Sequence, residues 1–280
     1  MKLATYRRTG TVHHGQVDGD RVRELGDGDL MAFLTSPASA TALGMYDLAE
    51  VELLAPLLRP GKLLAVAANY QDHVTESGAA PLDRSRLSPR LFLKPTTSIV
   101  GPDAIVELPD VSRQVDWEAE LAVVIGRGGK RIAIENALDH VAGYCCANDV
   151  SARSVDYGYE RDVEDKAVWF FDWLAGKWLD GFAPIGPYLV TADEVPDPQD
   201  RTIEFRLNGL VKQDGSTKDM IFSVAELIAH ASRLTTLEPG DVILTGTPSG
   251  VGAATGEFLA AGDEMTVTIS GLGTLRNSVK

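Results

Sequence analysis

Short runs of apolar and β-branched residues recur from residue 62 to the C-terminus, separated by clusters of Gly, Pro, Asn and Asp. Runs of this length and composition predict strands joined by turns. Helical spacing is rare and does not alternate regularly with the strands, so the pattern favours an α+β, β-rich fold, a mixed sandwich, roll or barrel. The predicted strands lie within residues 62–69, 91–100, 116–126, 143–152, 202–213, 241–246 and 264–273.

Two segments of this long region predict helices. Residues 223–234 carry a capping box, in which Ser223 precedes Glu226 by three positions, and residues 133–144 follow a basic turn. Between two predicted strands, Asn208-Gly209 is the signal of a type I′ hairpin turn.

Residues 1–60 are interpreted as a small N-terminal α/β domain. The pattern predicts a hairpin turned at Asp18-Gly19 and helical segments at residues 29–34 and 45–57. The breaker sequence Arg59-Pro60-Gly61 marks the expected boundary with a larger domain over residues 61–280.

Composition narrows the possible partners. The net charge of −14 argues against nucleic acid and anionic membrane surfaces as partners. The chain has no apolar run of membrane-spanning length, and MKLATYRRTG lacks the apolar stretch of a signal peptide. Adjacent Cys145 and Cys146 are unsuited to an unstrained disulfide, so we expect reduced cysteines and a cytoplasmic protein.

The strand DWEAELAVVIG carries two carboxylates one residue apart. Alternate side chains of a strand share a face, so Glu118 and Glu120 point the same way. Two like charges on one half-buried face repel each other, and a hard cation between them would relieve the repulsion. Asp149, which follows another predicted strand, is the expected third oxygen ligand. The alternative is a solvated strand face with ordinary salt bridges, and a turn role for Asp149.

Further residues have the chemistry of an active site. In NYQDHVTESG, His73 and Glu76 share a face if the segment is helical, as a general base and its orienting carboxylate would. Lys94 lies within an apolar strand, where it could serve a substrate carboxylate or the acidic cluster. Lys177 lies among aromatic residues, where it could stabilise an enolate. The alternatives are a surface His–Glu pair, a snorkelling lysine and a loop lysine.

The glycine-rich segment TGTPSGVG (245–252) could form an anion-binding nest. It lacks the Gly-Lys-Ser/Thr of a P-loop, which argues against nucleotide binding.

Taken together and in this order, these segments resemble the fumarylacetoacetate hydrolase (FAH) family. The resemblance covers nearly all of the chain from residue 62, and the first 60 residues are similar to the variable N-terminal domain of bacterial homodimeric members. It implies an FAH-type fold and a homodimer. The matching segments are NYQDHVTESG, LFLKPTTSIVG, the Glu-x-Glu strand, NDVSAR, GKWLDGFAPIGP, NGLVKQ, TLEPGDVILTGTPSGVG and GLGTLRN.

The resemblance implies a site for Mg²⁺ or Mn²⁺, with Ca²⁺ as a possible substitute in crystals, bound by Glu118, Glu120 and Asp149. It implies a small 2-oxo acid substrate and, as the leading function, hydrolysis of a carbon–carbon bond in a 2,4-dioxo acid, as in aromatic catabolism. The residues carried over as catalytic are His73, Glu76 and Lys177, and those carried over as substrate-binding are Lys94, Arg153, Gln213 and Thr247.

One segment departs from the family pattern. Many members have an aspartate and a glutamine shortly after the arginine that matches Arg153, whereas here SVDYGYERD follows and contains no glutamine. Arg161 is a candidate to compensate. Alternative functions on the same scaffold are a 2-oxo acid decarboxylase or an isomerase/tautomerase. A non-catalytic ion-binding protein is disfavoured, because ion storage needs neither a base nor active-site lysines.

Overall fold

The computed structural model describes residues 1–35 and 43–280, most of which form strands. The strands are β1 (Lys2–Arg8), β2 (Thr11–Asp18), β3 (Arg21–Asp27), β4 (Gly44–Asp47), β5 (Glu52–Leu54), β6 (Leu63–Ala67), β7 (Arg90–Lys94), β8 (Ile99–Val100), β9 (Ile105–Val106), β10 (Val115–Asp116), β11 (Ala119–Ile125), β12 (Val141–Asn148), β13 (Ser151–Ala152), β14 (Ala183–Thr191), β15 (Thr202–Leu207), β16 (Leu210–Ser216), β17 (Val242–Leu244), β18 (Glu264–Ile269) and β19 (Gly273–Val279).

The helices are few and short, as the sparse helical spacing predicts. Within the described ranges the α-helices are α1 (Leu30–Thr35), α2 (Gln71–Glu76), α3 (Lys166–Ala175), α4 (Val224–Leu234) and α5 (Gly252–Thr255).

Two open sheets pack face to face. The larger follows the order β4-β3-β2-β1-β14-β12-β11-β17-β6-β7, and the smaller follows β16-β15-β18-β19-β9. Both paths end in edge strands, so the part of the chain described here forms packed sheets and no closed barrel. The α+β, β-rich fold class is thereby confirmed. β11 is central because it pairs antiparallel with both β12 and β17.

The main core fills the space between the sheets. Leu121, Val123 and Ile125 of β11 face this layer, together with Phe205 of β15 and Val267 of β18. Ala122 and Val124 of the same strand belong to a second cluster on the opposite face. The alternation predicted for β11 is therefore present, with apolar partners on both sides of the strand.

The N-terminal strands extend the large sheet. β1 pairs with β14 through Lys2↔Val190 and Leu3↔Leu189. The predicted hairpin is present, with Asp18 opposite Arg21, so that the two loop residues are Gly19 and Asp20. The boundary at residue 60 stays a prediction.

Helix prediction for residues 45–57 was wrong. The segment contains β4, a 3₁₀ turn at Leu48–Glu50 and β5. β4 pairs with β3, and β5 pairs with β1. These partners lie more than fifteen residues away, and pairing with them outweighs local helical preference.

Residues 133–144 were predicted correctly only in part. They form a 3₁₀ helix, Ile134–His140, and then enter β12, whose residues pair with β11. The capping box at Ser223 and Glu226 is present at the start of α4 and is confirmed. Asn208 and Gly209 both have positive φ, as a type I′ turn requires.

No helix of the described ranges is both long and apolar enough to cross a membrane.

Candidate metal centre and active site

Three carboxylates converge where β11 begins and β12 ends. Ala119 pairs with Asn148, which brings the residues beyond each of them together. The backbone N–H of Asp149 donates to the Glu118 carbonyl at 2.8 Å. Oxygens of Glu118, Glu120 and Asp149 lie within 4.8 Å of one another, and all three side chains are buried. The convergence expected of a metal site is therefore present.

Buried cations surround this acidic triad. Lys177 bridges two of its members, with Nζ 2.7 Å from Glu118 Oε2 and 2.9 Å from Asp149 Oδ2. Lys94 Nζ lies 2.5 Å from Asp149 Oδ1, behind the triad. Such pairing offsets the cost of burial, because transferring an unpaired carboxylate from water into the protein interior costs several kcal/mol.

Arg153 joins the triad to a fourth carboxylate. Its Nη2 lies 2.5 Å from Glu118 Oε1, and its Nε lies 2.7 Å from Asp116 Oδ1. Asp116 also accepts a hydrogen bond from the Ala253 backbone N–H. Sequence reasoning named Arg153 but missed Asp116, whose signal was its position two residues before Glu118 on the same face.

The pKa values of two members of the acidic triad shift in opposite directions. Burial alone would raise the pKa of Glu118, but Lys177 and Arg153 outweigh burial and lower it strongly. Burial raises the pKa of Glu120 well above its usual range, and the charges of Asp149 and Glu118 add to that rise. Glu120 is thus the triad member whose charge the protein neutralises least.

The two lysines also differ. Burial lowers the pKa of Lys94, and the single carboxylate of Asp149 does not reverse this. At Lys177 the combined charges of Asp149 and Glu118 outweigh burial and raise the pKa. The two carboxylates therefore favour the protonated form of Lys177.

His73 and Glu76 form a hydrogen-bonded pair on α2. The helical turn predicted for this segment is present, and His73 Nδ1 lies 2.5 Å from Glu76 Oε1. Glu76 Oε2 accepts the Gly250 backbone N–H at 2.6 Å. Because the carboxylate is fixed from both sides, it fixes the orientation of the imidazole.

The glycine-rich segment braces the triad as well as α2. Gly246 N–H donates to Glu120 Oε2 at 2.7 Å. Thr247 Oγ1 donates to the Ala119 carbonyl and accepts from Gln213 Nε2, each at 2.8 Å. Gln213 Oε1 in turn accepts the Ala119 N–H at 2.9 Å. Gln213 therefore lies behind Thr247, while Thr247 itself reaches the cavity.

One cavity of about 420 Å³ unites most of these groups. Its volume is that of a small-molecule site. Apolar and aromatic residues form much of its wall, and Lys94 and Gln213 are not among the lining residues. The predicted site residues that line it are His73, Glu118, Asp149, Arg153, Lys177 and Thr247.

Residues 62–280 match the family described as fumarylacetoacetate (FAA) hydrolase C-terminal, and residues 1–56 match one described as Rv2993c-like, N-terminal. The first match covers well over half of the chain.

The chain belongs to the fumarylacetoacetate hydrolase family.

Similar proteins of this family are named for different reactions. Oxaloacetate tautomerase FAHD2A, mitochondrial, of Homo sapiens is 44% identical over 91% of this chain and 78% of that protein. The structure of 5-carboxymethyl-2-hydroxymuconate delta-isomerase from Mycobacterium smegmatis has a TM-score of 0.81 and 34% identity, over 100% of this chain and 99% of that one. Maleylpyruvate hydrolase from Sphingobium sp. SYK-6, in complex with manganese (II) ion and pyruvate, has a TM-score of 0.75 and 29% identity, over 100% and 98%.

Members of the FAH family named in these comparisons are enzymes: hydrolases, isomerases and tautomerases. The acidic triad of this chain is a site able to bind a divalent metal ion. The family resemblance is thus confirmed, and the named members differ in reaction type.

Sequence reasoning missed one wall of this FAH-type cavity. Helix α3 was not predicted, yet Trp169, Phe170 and Trp173 project from it into the cavity lining. Its N-cap Asp165 accepts the Ala167 N–H. The aromatic run WFFDW was the available signal, but its aromatic residues are poor helix formers, which masked the helix.

Arg161 lies outside the cavity lining. Its Nη1 lies 2.8 Å from Asp172 Oδ1, and its guanidinium stacks over the ring of Tyr157. This position gives it a structural partner on α3.

Proposed function

We propose that this chain is a divalent-metal-dependent hydrolase that cleaves a carbon–carbon bond in a 2,4-dioxo acid of the acylpyruvate type. One observation carries the proposal: the cavity lined by Glu118 and Asp149 of the acidic triad is also lined by His73, which Glu76 orients. Metal binding alone requires no such base. The aromatic wall offers an apolar place for the acyl group, which a four-carbon substrate would leave unfilled.

The residues present fit Mg²⁺ or Mn²⁺. All three ligand candidates offer carboxylate oxygens, the donors that hard divalent cations prefer. Burial raises the pKa of Glu120, and the nearby charges of Asp149 and Glu118 raise it further. A similar hydrolase, named above, was solved with manganese and pyruvate. When bound, the ion would supply a Lewis acid at the 2-oxo acid end of the substrate.

The chain's own groups would carry the remaining steps. His73, held by Glu76, would take a proton from a water directed at the C4 carbonyl. Addition of water and cleavage of the C3–C4 bond release a carboxylic acid and the enolate of pyruvate, which is protonated at C3. Lys177 would stabilise the negative charge on the enolate oxygen.

Other predicted residues would orient the substrate or the site. Arg153 and Thr247 line the cavity and would contact substrate oxygens. Gln213 would act through Thr247, and Lys94 through Asp149, according to their hydrogen bonds.

A spectrophotometric assay tests the function. Acylpyruvate enols should lose absorbance in the presence of the protein with Mg²⁺ or Mn²⁺, with pyruvate and the carboxylic acid formed in equal amounts. In ¹⁸O-labelled water the label should enter the carboxylic acid. If neither pyruvate nor the carboxylic acid forms with Mg²⁺ or with Mn²⁺, the proposal is contradicted.

Oxaloacetate tautomerisation is the second candidate, favoured by the 44% identity to the human tautomerase. The same base would then move a proton between C3 and the 2-oxygen, with no water added. An isomerase of unsaturated 2-oxo dioates would use similar proton transfers, and a decarboxylase would release CO₂. Enol-to-keto conversion of oxaloacetate, without product cleavage or label uptake, would identify the tautomerase.

We also propose a homodimer. Open sheets leave edge strands to be covered, and two-fold dimers are the commonest assemblies. Light scattering should give twice the mass of the chain at micromolar concentration, and a monomer there would contradict this.

A further inference from the structure

Asn69 lies at the junction of β6 and α2, behind the wall of the cavity. It is 1% exposed, whereas the two residues before it, Ala67 and Ala68, line the cavity. His73, the candidate base, follows four positions later on α2. Ala68 has a φ of 55°, a left-handed conformation that residues with a Cβ rarely adopt. Such a conformation persists only where surrounding contacts hold it, and Asn69 supplies several of them.

The carboxamide of Asn69 joins its own segment to two others. Its Nδ2 donates to the Thr245 carbonyl at 2.8 Å and to the Phe222 carbonyl at 3.1 Å. Its Oδ1 accepts the Phe222 backbone N–H at 2.9 Å, and its backbone carbonyl accepts the Ile221 N–H at 2.7 Å. An asparagine side chain has two N–H donors and one carbonyl oxygen, so these contacts use both donors and the acceptor in one fixed orientation.

One of the joined segments reaches the acidic triad. Thr245 directly follows β17, and the next residue, Gly246, donates its N–H to Glu120 Oε2 at 2.7 Å. Gly246 has a φ of 92°, and a Cβ there would lie 2.7 Å from the Cβ of Asn69. Glycine is required for so close an approach. The Asn69 side chain therefore packs directly against the backbone that contacts Glu120.

In the other direction along the chain, Asn69 leads to His73. All six residues of α2 keep some exposure, so burial of its own side chains contributes little to the position of the helix. The position depends instead on contacts at each end. Asn69 holds the chain just before the helix begins, and the hydrogen bond from Gly250 N–H to Glu76 holds its last turn. Loss of the first contact would let the helix tilt and carry His73 with it.

We propose that Asn69 is a positioning residue, whose buried carboxamide holds His73 at a fixed distance from Glu120. A displacement of about 1 Å can lower the rate by about 10²-fold, because a general base must be within hydrogen-bond reach of the proton that it takes. This proposal rests on the proposed function for the role of His73 as base.

Substitution of two buried asparagines separates this role from a purely structural one. Asn69→Ala removes the carboxamide, and Asn69→Ser is the milder second variant. Asn277→Ala is the matched control, because Asn277 is 2% exposed and its Nδ2 donates to the carbonyls of Gly101 and Ala104, at 2.9 and 3.0 Å. Asn277 lies on β19 and is not among the residues that line the cavity. The three substitutions are made in the native protein and in the His73→Ala variant.

Both alanine substitutions should lower the free energy of unfolding in urea, because each removes buried hydrogen bonds. Only Asn69→Ala should lower kcat for acylpyruvate hydrolysis, by about 10–100-fold, with KM and Mn²⁺ affinity changed by less than about threefold. In the His73→Ala variant the same substitution should change the residual kcat by less than about twofold, because a positioning residue acts only through the residue that it positions. Asn69→Ser should follow the same pattern with a smaller loss.

Amide hydrogen exchange gives a second measurement, which needs neither metal nor substrate. In the metal-free protein, residues 71–76 should exchange faster in Asn69→Ala than in the native protein, and Asn277→Ala should leave their exchange unchanged.

Three kinetic results would overturn the proposal: an unchanged kcat in Asn69→Ala, an equal loss in Asn277→Ala, or an equal fold loss when His73 is already alanine. If Asn69→Ala does not fold, the same comparisons with Asn69→Ser decide. If the native protein hydrolyses no acylpyruvate, the proposed function fails, and hydrogen exchange alone tests Asn69: faster exchange in α2 supports its positioning role, and unchanged exchange overturns it.

Discussion

Charged side chains are buried and paired at the inner end of the cavity, whereas exposed aromatic residues form its mouth. The inner groups lie on or beside central strands, and the Lys94 side chain is 0% exposed. At the mouth, Trp169 of α3 is 64% exposed. The inner end is thus preorganised, which favours electrostatic stabilisation of a reacting group. The mouth has few neighbours to fix it and is the part suited to choosing among substrates.

Removal of one triad carboxylate should cause the largest loss of metal affinity and activity. We expect Glu120→Gln to weaken Mn²⁺ binding by at least ~10²-fold, more than the loss of an outer partner causes. Activity should fall by about 10³–10⁴-fold, since a Lewis acid contributes several kcal/mol. Calorimetry and the acylpyruvate assay measure both. The exposed Glu135→Gln is the control, and unchanged metal binding in Glu120→Gln would refute the ligand assignment.

The second substitution separates chemistry from metal binding. His73→Ala should lower kcat for hydrolysis by ~10²–10⁴-fold because it removes the general base, while Mn²⁺ affinity stays unchanged. Glu76→Gln should have a smaller effect of about 10–100-fold, since it only orients the imidazole.

His140→Ala is the matched control, because His140 binds the Arg127 carbonyl and does not line the cavity. If hydrolysis survives in His73→Ala, the assignment as base is wrong. If proton exchange or decarboxylation of oxaloacetate is the only activity found, the tautomerase or lyase alternative gains.

A change at the mouth should affect binding and not chemistry. Trp169→Ala should raise KM for acylpyruvates with large acyl groups about three- to tenfold, because apolar contact area is lost, and leave kcat nearly unchanged. Phe171→Ala is the control, since Phe171 lies on the same helix, is 62% exposed and does not line the cavity. Equal effects of the two substitutions would contradict a substrate-binding role for Trp169.

The smallest expected effect is on how the free energy of unfolding of the metal-free protein depends on pH. Since the pKa of Glu120 is raised by folding, the folded state binds the proton more tightly than the unfolded state does. Stability from this group is present below the ordinary pKa of 4.5 and is lost as pH rises.

In urea unfolding, the free energy of unfolding of Glu120→Gln should therefore increase relative to that of the native protein as pH rises above 4.5. Mn²⁺ should reverse the order by stabilising only the native protein. If the difference in free energy of unfolding between the two proteins does not change with pH, ionisation of Glu120 does not destabilise the folded state.

The inner end could be predicted from local sequence far better than the mouth. Glu118 and Glu120 are one residue apart on a strand, so their shared face follows from geometry. Each segment predicted as a strand between residues 62 and 273 contains one, whereas β14 and most of β19 were not predicted. Asp149 was found because it directly follows a buried strand. The assignment of Arg153 required the family resemblance, since its partner Asp116 is 37 residues away.

The mouth depends on chain segments that meet only in the folded protein. No local signal shows that Trp169 faces a cavity and Phe171 does not. The strands β4 and β5 were missed for the same reason, because distant partners determine them.

The close contact at Gly176 has a consequence for the interpretation of natural variation. Gly176 is the residue before Lys177, and a Cβ there would lie 2.0 Å from the Ala152 carbonyl oxygen, whose residue also donates a backbone hydrogen bond to Gly176. An alanine allele would displace this backbone and the ammonium group beside it. A substitution usually scored as mild, at a residue with no reactive atom, should thus produce a folded but inactive allele.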